Sequence, residues 1–110
     1  MNTEIKGIGI YLPKKVINSY EAEEMAGYSK HGLRNGLVKM ITGVETRCYA
    51  GDNEYCSDIG YMAAKNAVKN SRLSVDDIDT LIFCSVTQDF AEPATANVIA
   101  DKLKLKNAYV

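Results

Sequence analysis

The feature that most constrains the fold is an almost unbroken apolar run at residues 81–86, Leu-Ile-Phe-Cys-Ser-Val. The run lacks the alternation of apolar and polar residues that marks a strand with one face in water. A short run of this kind is typical of a strand that is covered on both faces, as in the centre of a parallel sheet. Because helical patterns precede and follow it, the sequence predicts an α/β fold, in which helices cover both faces of a mostly parallel, mixed sheet.

Helix signals lie on both sides of this run. Asn18 and Glu21 have the spacing of a capping box, which predicts a helix over residues 19–26 that ends before Gly27. A second short helix is predicted over residues 33–41, and a longer, alanine-rich helix over residues 57–71. Pro93 suits the first turn of a helix, and apolar residues then recur at helical spacing as far as Leu103.

Further strands are predicted at residues 5–11, 46–50 and 107–110, and the sequence stops within the last of them. A strand that is begun but not paired leaves backbone groups without partners and exposes an apolar edge. We therefore expect residues 1–110 to be a partial N-terminal domain of a longer protein, whose C-terminal half this chain lacks.

Composition argues against several classes of function. Thirteen basic and fourteen acidic residues give a net charge of −1, whereas nucleic-acid binding needs a surplus of clustered cations. No segment approaches the ~20 apolar residues of a membrane span, and the N-terminus lacks the apolar core of a signal peptide. We therefore expect a cytoplasmic protein with neither nucleic-acid nor membrane partners.

The cysteines and the histidine predict no site of their own. Cys48, Cys56 and Cys84 form no C-x-x-C pair, which argues against a zinc site or a disulfide framework. Cys84 lies within the apolar run, so we expect it to be buried and to serve packing. His31 stands in a polar stretch without a partner at catalytic spacing, and we expect it in a solvated loop.

Polar residues follow the apolar run directly, beginning with Thr87, Gln88 and Asp89. In open parallel sheets, ligands bind beyond the carboxyl ends of the strands. This position favours a binding site in the loop over residues 87–92. The alternative is that these residues only lead the chain into the next helix.

Short motifs then follow one another along nearly the whole chain. They are Gly7-Ile8-Gly9-Ile10-Tyr11-Leu12-Pro13, Asn18, Thr42-Gly43-Val44 with Arg47, Ser57-Asp58-Ile59, Asp76-Asp77-Ile78-Asp79 with Leu81-Ile82, Ser85-Val86-Thr87-Gln88-Asp89, and Pro93-Ala94-Thr95-Ala96. In this order they resemble the N-terminal part of the β-ketoacyl-acyl-carrier-protein synthase III (3-oxoacyl-ACP synthase III) family, within the thiolase-like superfamily.

The resemblance implies an acyltransferase that condenses an acyl-CoA starter with malonyl-acyl carrier protein, with decarboxylation, in fatty-acid or polyketide biosynthesis. It implies a homodimer with α-β-α-β-α layers and no cofactor besides these substrates. The family's nucleophilic cysteine would follow Val110, and its His and Asn would come later still. We therefore expect no catalytic residue in this chain, and no activity from the chain alone. A 3-hydroxy-3-methylglutaryl-CoA synthase-like enzyme and a non-catalytic dimerising subunit of the same fold stay open as alternatives.

The resemblance also implies roles for particular residues. Phe90 and Glu92 match a loop near the dimer interface that helps to wall the partner's acyl pocket. Family members hold the CoA adenine with a Trp and an Arg shortly before the Thr-Gly motif, but those positions here hold Leu37 and Ile41, with Arg34 nearby. This difference leaves open a starter that is delivered by another carrier. The residues predicted to bind substrate are Arg34, Leu37, Thr87 and Asp89.

Overall fold

The computed structural model describes residues 2–110, which divide into two compact units. Unit 1 contains the chain before Pro13 together with Asn53–Val110, and unit 2 is Pro13–Asp52. Within the described residues, no helix is long and apolar enough to cross a membrane.

Unit 2 is built on two antiparallel strands, β1 (Lys15–Asn18) and β2 (Thr46–Tyr49), with two helices between them in sequence, α1 (Ser19–Met25) and α2 (Leu37–Thr42). The predicted capping box at the start of α1 is confirmed. The Glu21 backbone N donates to Asn18 Oδ1 at 2.9 Å, and the Asn18 backbone N donates to Glu21 Oε2 at 2.8 Å. These bonds satisfy amides that would otherwise lack partners at the helix start.

In unit 1 two longer helices pack together, α3 (Cys56–Ser71) and α4 (Thr95–Leu103). A 3₁₀ turn at Val75–Asp77 lies between them in sequence, where the sequence indicated a turn. Gly60 allows the close approach of the helices, because a Cβ atom there would lie 2.7 Å from Ile99 Cδ1. Ile99 and Ala100 of α4 are buried and supply the apolar centre of this unit.

The N-terminal segment of unit 1, residues 5–11, lies along the small-residue face of α3. A Cβ atom on Gly7 would lie 2.6 Å from both the Ala67 carbonyl O and the Ser71 backbone N, so only glycine fits there. Asn70 Nδ2 donates to the Ile8 carbonyl O at 2.8 Å. The strand predicted here is therefore wrong for this chain, because side chains of α3 rather than a neighbouring strand hold the segment.

The predicted covered, mostly parallel sheet is not formed within the described residues. The apolar run at residues 81–86 pairs with no neighbouring strand, and Ile82 is 83% exposed. Parallel pairing is limited to one bridge between Thr80 and Tyr109, in which the Leu81 backbone N donates to the Tyr109 carbonyl O at 2.9 Å. Residues 2–110 supply no further strand for this run, and Cys84 is accordingly exposed rather than buried.

Two predicted helix starts also differ. The second helix begins at Leu37 instead of residue 33, because Gly32 and Gly36 adopt left-handed φ values of +68° and +91° that interrupt helical geometry before it. Pro93 follows a cis peptide bond and precedes the first residue of α4, Thr95, by two positions. The predicted ends of these helices, near Gly43 and at Leu103, are confirmed.

Candidate functional site

The loop over residues 87–94 is fixed between the starts of α3 and α4 by Asp89. Both carboxylate oxygens of Asp89 accept from the Ser57 backbone N, each at 3.2 Å. The Asp89 backbone N donates to Thr95 Oγ1 at 3.4 Å. Ser57 and Thr95 are buried, so the loop is joined to the interior of unit 1 at both helix starts.

Lys102, near the end of α4, also binds the first turn of α3. Its Nζ atom donates to Ser57 Oγ and to Asp58 Oδ1, each at 2.7 Å. Asp58 also accepts from the Tyr55 backbone N at 3.0 Å. The hydrogen bond from Lys102, followed by that from Tyr55, lowers the pKa of Asp58 below its ordinary value of 3.8.

Thr87 faces the first residue of α3. Thr87 Oγ1 donates to Cys56 Sγ at 3.5 Å, and this thiol in turn donates to the Thr87 carbonyl O at 3.5 Å. Ser85 Oγ lies 3.6 Å from the same sulfur atom. The thiol is therefore half-buried among hydroxyl and carbonyl groups.

Each unit has a small cavity beside residues that the sequence predicted to bind substrate. In unit 1 the cavity of ≈ 210 Å³ is lined by residues that include Phe83, Thr87 and Thr95. Asp89, Phe90 and Glu92 are not among its lining residues, and the last two side chains are exposed. Of the polar residues that the sequence placed in this loop, Thr87 and Gln88 line the cavity, whereas Asp89 does not.

In unit 2, the predicted residues Arg34 and Leu37 share one small cleft. Its volume is ≈ 180 Å³, and Tyr20, Gly36 and Met40 also line it. A Cβ atom on Gly36 would lie 3.5 Å from Tyr20 Cε1, so the backbone of Gly36 passes close to the aromatic ring. The cleft thus combines an exposed guanidinium with an aromatic and an apolar wall.

Glu23 holds the backbone beside this cleft, and no local pattern in the sequence points to it. Glu23 is 1% exposed, and its Oε2 and Oε1 atoms accept from the backbone N atoms of Gly36 and Val38 at 2.6 and 2.7 Å. These bonds fix the chain between Arg34 and the first turn of α2. A glutamate on a short amphipathic helix is expected on the solvent face, which is why pattern analysis misses it.

The Thr-Gly motif of unit 2 folds around the first residue of α1, Ser19. The Ser19 backbone N donates to the Glu45 carbonyl O at 2.9 Å, and Ser19 Oγ donates to the Val44 carbonyl O at 2.5 Å. Arg47 Nη2 donates to Ser19 Oγ at 3.3 Å. The spacing of Gly43, Val44 and Arg47 therefore has a structural explanation, in which the motif closes the loop after α2 onto α1.

An exposed ion pair adds to the same loop. Lys39 Nζ lies 2.8 Å from Glu45 Oε1. Their hydrogen bond, followed by the charge interaction, lowers the pKa of Glu45 and raises the pKa of Lys39.

The predicted site residues thus fall into two groups. Thr87, Asp89, Phe90 and Glu92 belong to unit 1, whereas Arg34 and Leu37 belong to unit 2. Their roles in binding substrate stay predictions. Ile41, for which the resemblance implies the position of an Arg, is 74% exposed and does not line the cleft.

Comparison with known proteins gives clear sequence relatives. No family model matches the chain. It is 42% identical over 108 residues to the β-ketoacyl-[acyl-carrier-protein] synthase III of Listeria monocytogenes. This alignment covers 98% of this chain and 33% of the relative. It is 36% identical over 103 residues to the β-ketoacyl-[acyl-carrier-protein] synthase III 2 of Halalkalibacterium halodurans, over 94% of this chain and 30% of the relative. The chain therefore spans about a third of the length of these relatives.

Solved structures share the fold. The 3-oxoacyl-[acyl-carrier-protein] synthase III of Aquifex aeolicus matches with a TM-score of 0.80 and 28% identity, over 98% of this chain and 33% of that one. The H285A variant of OleA from Xanthomonas campestris matches with a TM-score of 0.79 and 23% identity, over 96% of this chain and 32% of that one. At 23% identity, the second match supports the fold but no shared function.

Proposed function

The chain is homologous to the β-ketoacyl-[acyl-carrier-protein] synthase III proteins, and we propose that it is the N-terminal part of a condensing acyltransferase of this kind. The observation that carries the proposal is 42% identity over 108 of its residues to the synthase from Listeria monocytogenes. Since these relatives are about three times as long, the activity belongs to the longer protein, and residues 1–110 are inactive alone.

The proposed reaction transfers the acyl group of an acyl-CoA starter to malonyl-acyl carrier protein and releases CoA and carbon dioxide, as the first condensation of fatty-acid synthesis or a related polyketide step. The protein's partners are then acyl carrier protein and a second copy of itself. It works in the cytoplasm and needs no resident cofactor, because a thiol nucleophile supplies the covalent chemistry.

The nucleophilic cysteine of this enzyme lies after Val110. In support, the hydrogen bonds of Cys56 run to hydroxyl and carbonyl groups, whereas a neighbouring base is what activates a thiol nucleophile. Cys48 and Cys84 are exposed, and Cys56 contacts the hydroxyl groups of Ser85 and Thr87.

The cleft of Arg34 and Leu37 is the proposed contact for the starter's carrier. A guanidinium suits a phosphate group, and the ring of Tyr20 offers a surface for a flat base. Thr87, which lines the cavity of unit 1, is the proposed contact near the acyl group, and Phe90 and Glu92 are exposed as a contact with a second copy requires.

The test is product analysis with the longer protein. We expect acetoacetyl-acyl carrier protein from acetyl-CoA and malonyl-acyl carrier protein, and a stable acetyl group on a cysteine after Val110 when malonyl-acyl carrier protein is left out. Peptide mapping by mass spectrometry locates this adduct. Acetylation of Cys56 instead would contradict the assignment of the nucleophile. Condensation of acetyl-CoA with acetoacetyl-CoA, but not with malonyl-acyl carrier protein, would favour the hydroxymethylglutaryl-type enzyme. No turnover with either acceptor would favour the non-catalytic subunit.

A further inference from the structure

The hydrogen bonds of Asp89 point into the protein rather than toward a ligand. Both carboxylate oxygens accept from the Ser57 backbone N, and the Asp89 backbone N is bound to Thr95. Asp89 is half-buried and does not line the neighbouring cavity. Its polar atoms are thus committed to two buried helix starts.

The anchor that Asp89 uses is itself held firmly. Ser57 is 1% exposed, and its Oγ atom accepts from Lys102 Nζ at 2.7 Å. A carboxylate at the first turn of a helix satisfies an amide without an intrahelical partner and is favoured by the helix dipole. Since α3 has sixteen residues, that dipole is fully developed at Ser57.

The position of Asp89 transmits this anchoring to the rest of the loop. Thr87 lies two residues before it and Phe90 directly after it. At ~3.6 Å or less per residue, both lie within about 7 Å of the anchored backbone. Thr87 is also held against Cys56, at 3.5 Å from Sγ.

We infer that Asp89 is a positioning residue: its carboxylate ties the loop over residues 87–94 to the start of α3, and so places Thr87 at the cavity and Phe90 on the surface. It does not itself contact substrate. Which ligand the loop faces depends on the proposed function, but the tie between Asp89 and Ser57 does not. The inference can therefore fail or hold independently of that function.

The thiol of Cys56 reports on the loop, because Thr87 covers it. We would measure the rate at which iodoacetamide alkylates Cys56 in the unliganded longer protein, using peptide mapping to separate it from other cysteines. The exposed Cys48, in the other unit, serves as the internal reference. The variants are Asp89→Ala, Asp89→Asn, and Asp76→Ala as a control at an exposed aspartate of the same unit.

Asp89→Ala is expected to raise the alkylation rate of Cys56 about five-fold, which corresponds to about 1 kcal/mol at 1.4 kcal/mol per factor of ten. Asp89→Asn keeps one acceptor for the Ser57 amide, so it should restore part of the protection. Asp76→Ala should leave the rate at Cys56 unchanged, and the rate at Cys48 should stay the same in every variant.

An unchanged rate at Cys56 in a folded Asp89→Ala protein would overturn the inference. If that variant loses its far-UV circular dichroism, Asp89→Asn and Thr95→Val decide the matter, because each weakens one end of the tie and keeps the side-chain volume. A weaker Kd for acetyl-CoA in Asp89→Asn, with Cys56 protected as in the parent, would also overturn it and make Asp89 a substrate contact.

Discussion

Glu23 is the residue on which the fold of unit 2 depends most directly, because a buried carboxylate there satisfies two backbone amides. We predict that Glu23→Ala lowers the free energy of unfolding by about 3 kcal/mol, since it leaves the Gly36 and Val38 amides without acceptors. Glu23→Gln keeps one acceptor oxygen, so its free energy of unfolding should lie between those of the parent and of Glu23→Ala. Urea denaturation measures the difference.

The matched control is Glu24→Ala, one residue further along the same helix. Glu24 is exposed, and its carboxylate contacts the Asn35 side chain at 3.1 Å, so its loss should cost less than about 0.5 kcal/mol. Equal losses for Glu23→Ala and Glu24→Ala would show that the buried carboxylate has no special role.

The pair of Lys102 and Asp58 predicts a particular dependence of stability on pH. The folded pKa of Asp58 lies below its ordinary value of 3.8, so the pair stabilises the fold above that pH and loses its contribution as pH falls through the folded pKa. We expect Lys102→Met to be less stable than the parent at pH 6, with the gap narrowing as pH falls below about 4. Thermal melting between these pH values measures the gap.

Lys106→Met controls for the loss of a positive charge, because Lys106 is exposed in the same unit. Its stability should follow the parent at every pH. A gap for Lys102→Met that stays constant across the acid range would mean that the pair is not the source of the effect. Both side chains are partly exposed, so the effect should be small and should weaken with added salt.

For single residues, the sequence predicts positions better than roles. Thr87 and Asp89 were singled out because they follow an apolar run, and Thr87 does line a cavity. The tie between Asp89 and Ser57 joins residues 32 positions apart, which no local pattern encodes. Glu23 was missed because a buried charge is recognisable only from the amides that surround it.

Among the elements, the contact of residues 5–11 with α3 is the most sensitive to side-chain volume. We predict that Gly7→Ala destabilises unit 1 by about 1–3 kcal/mol, because the new Cβ atom would meet backbone atoms of Ala67 and Ser71 that cannot move aside. Ile8→Ala is the control, as that side chain is 71% exposed and should cost less than about 0.5 kcal/mol. Chemical denaturation compares them, and equal costs would mean that the segment does not pack on α3.

The elements that the sequence predicted well carry their own local signals. Helix α1 begins at its capping box and is followed by Gly27, and α3 begins one residue before the predicted position. The strands depend on partners that a local pattern cannot identify. Strand β1 pairs with β2, although no strand was predicted at residues 15–18. The apolar run at residues 81–86 forms no strand, and its backbone contact with residue 109 is limited to the bond from Leu81.

At the scale of the whole molecule, unit 1 exposes more apolar surface than a self-sufficient domain does. Ile8, Ile82 and Val86 are 71%, 83% and 104% exposed. The buried apolar residues described in this unit are Ile99 and Ala100, both on α4. Monomeric soluble proteins rarely expose large contiguous apolar patches, and unpaired extended backbone beside such side chains favours association.

We therefore predict that residues 1–110, prepared alone, self-associate. Size-exclusion chromatography with light scattering should show a mass that rises with concentration above the 12.1 kDa of one chain. Ile82→Ser with Val86→Ser should shift the equilibrium toward monomer without lowering the urea midpoint, because both side chains lie in water in the monomer. Ile99→Ser is the opposite control, since it places a hydroxyl in the centre of unit 1 and should lower the midpoint instead. A monomer at every concentration with a cooperative melt would show that the exposed run needs no cover and that this chain is stable on its own.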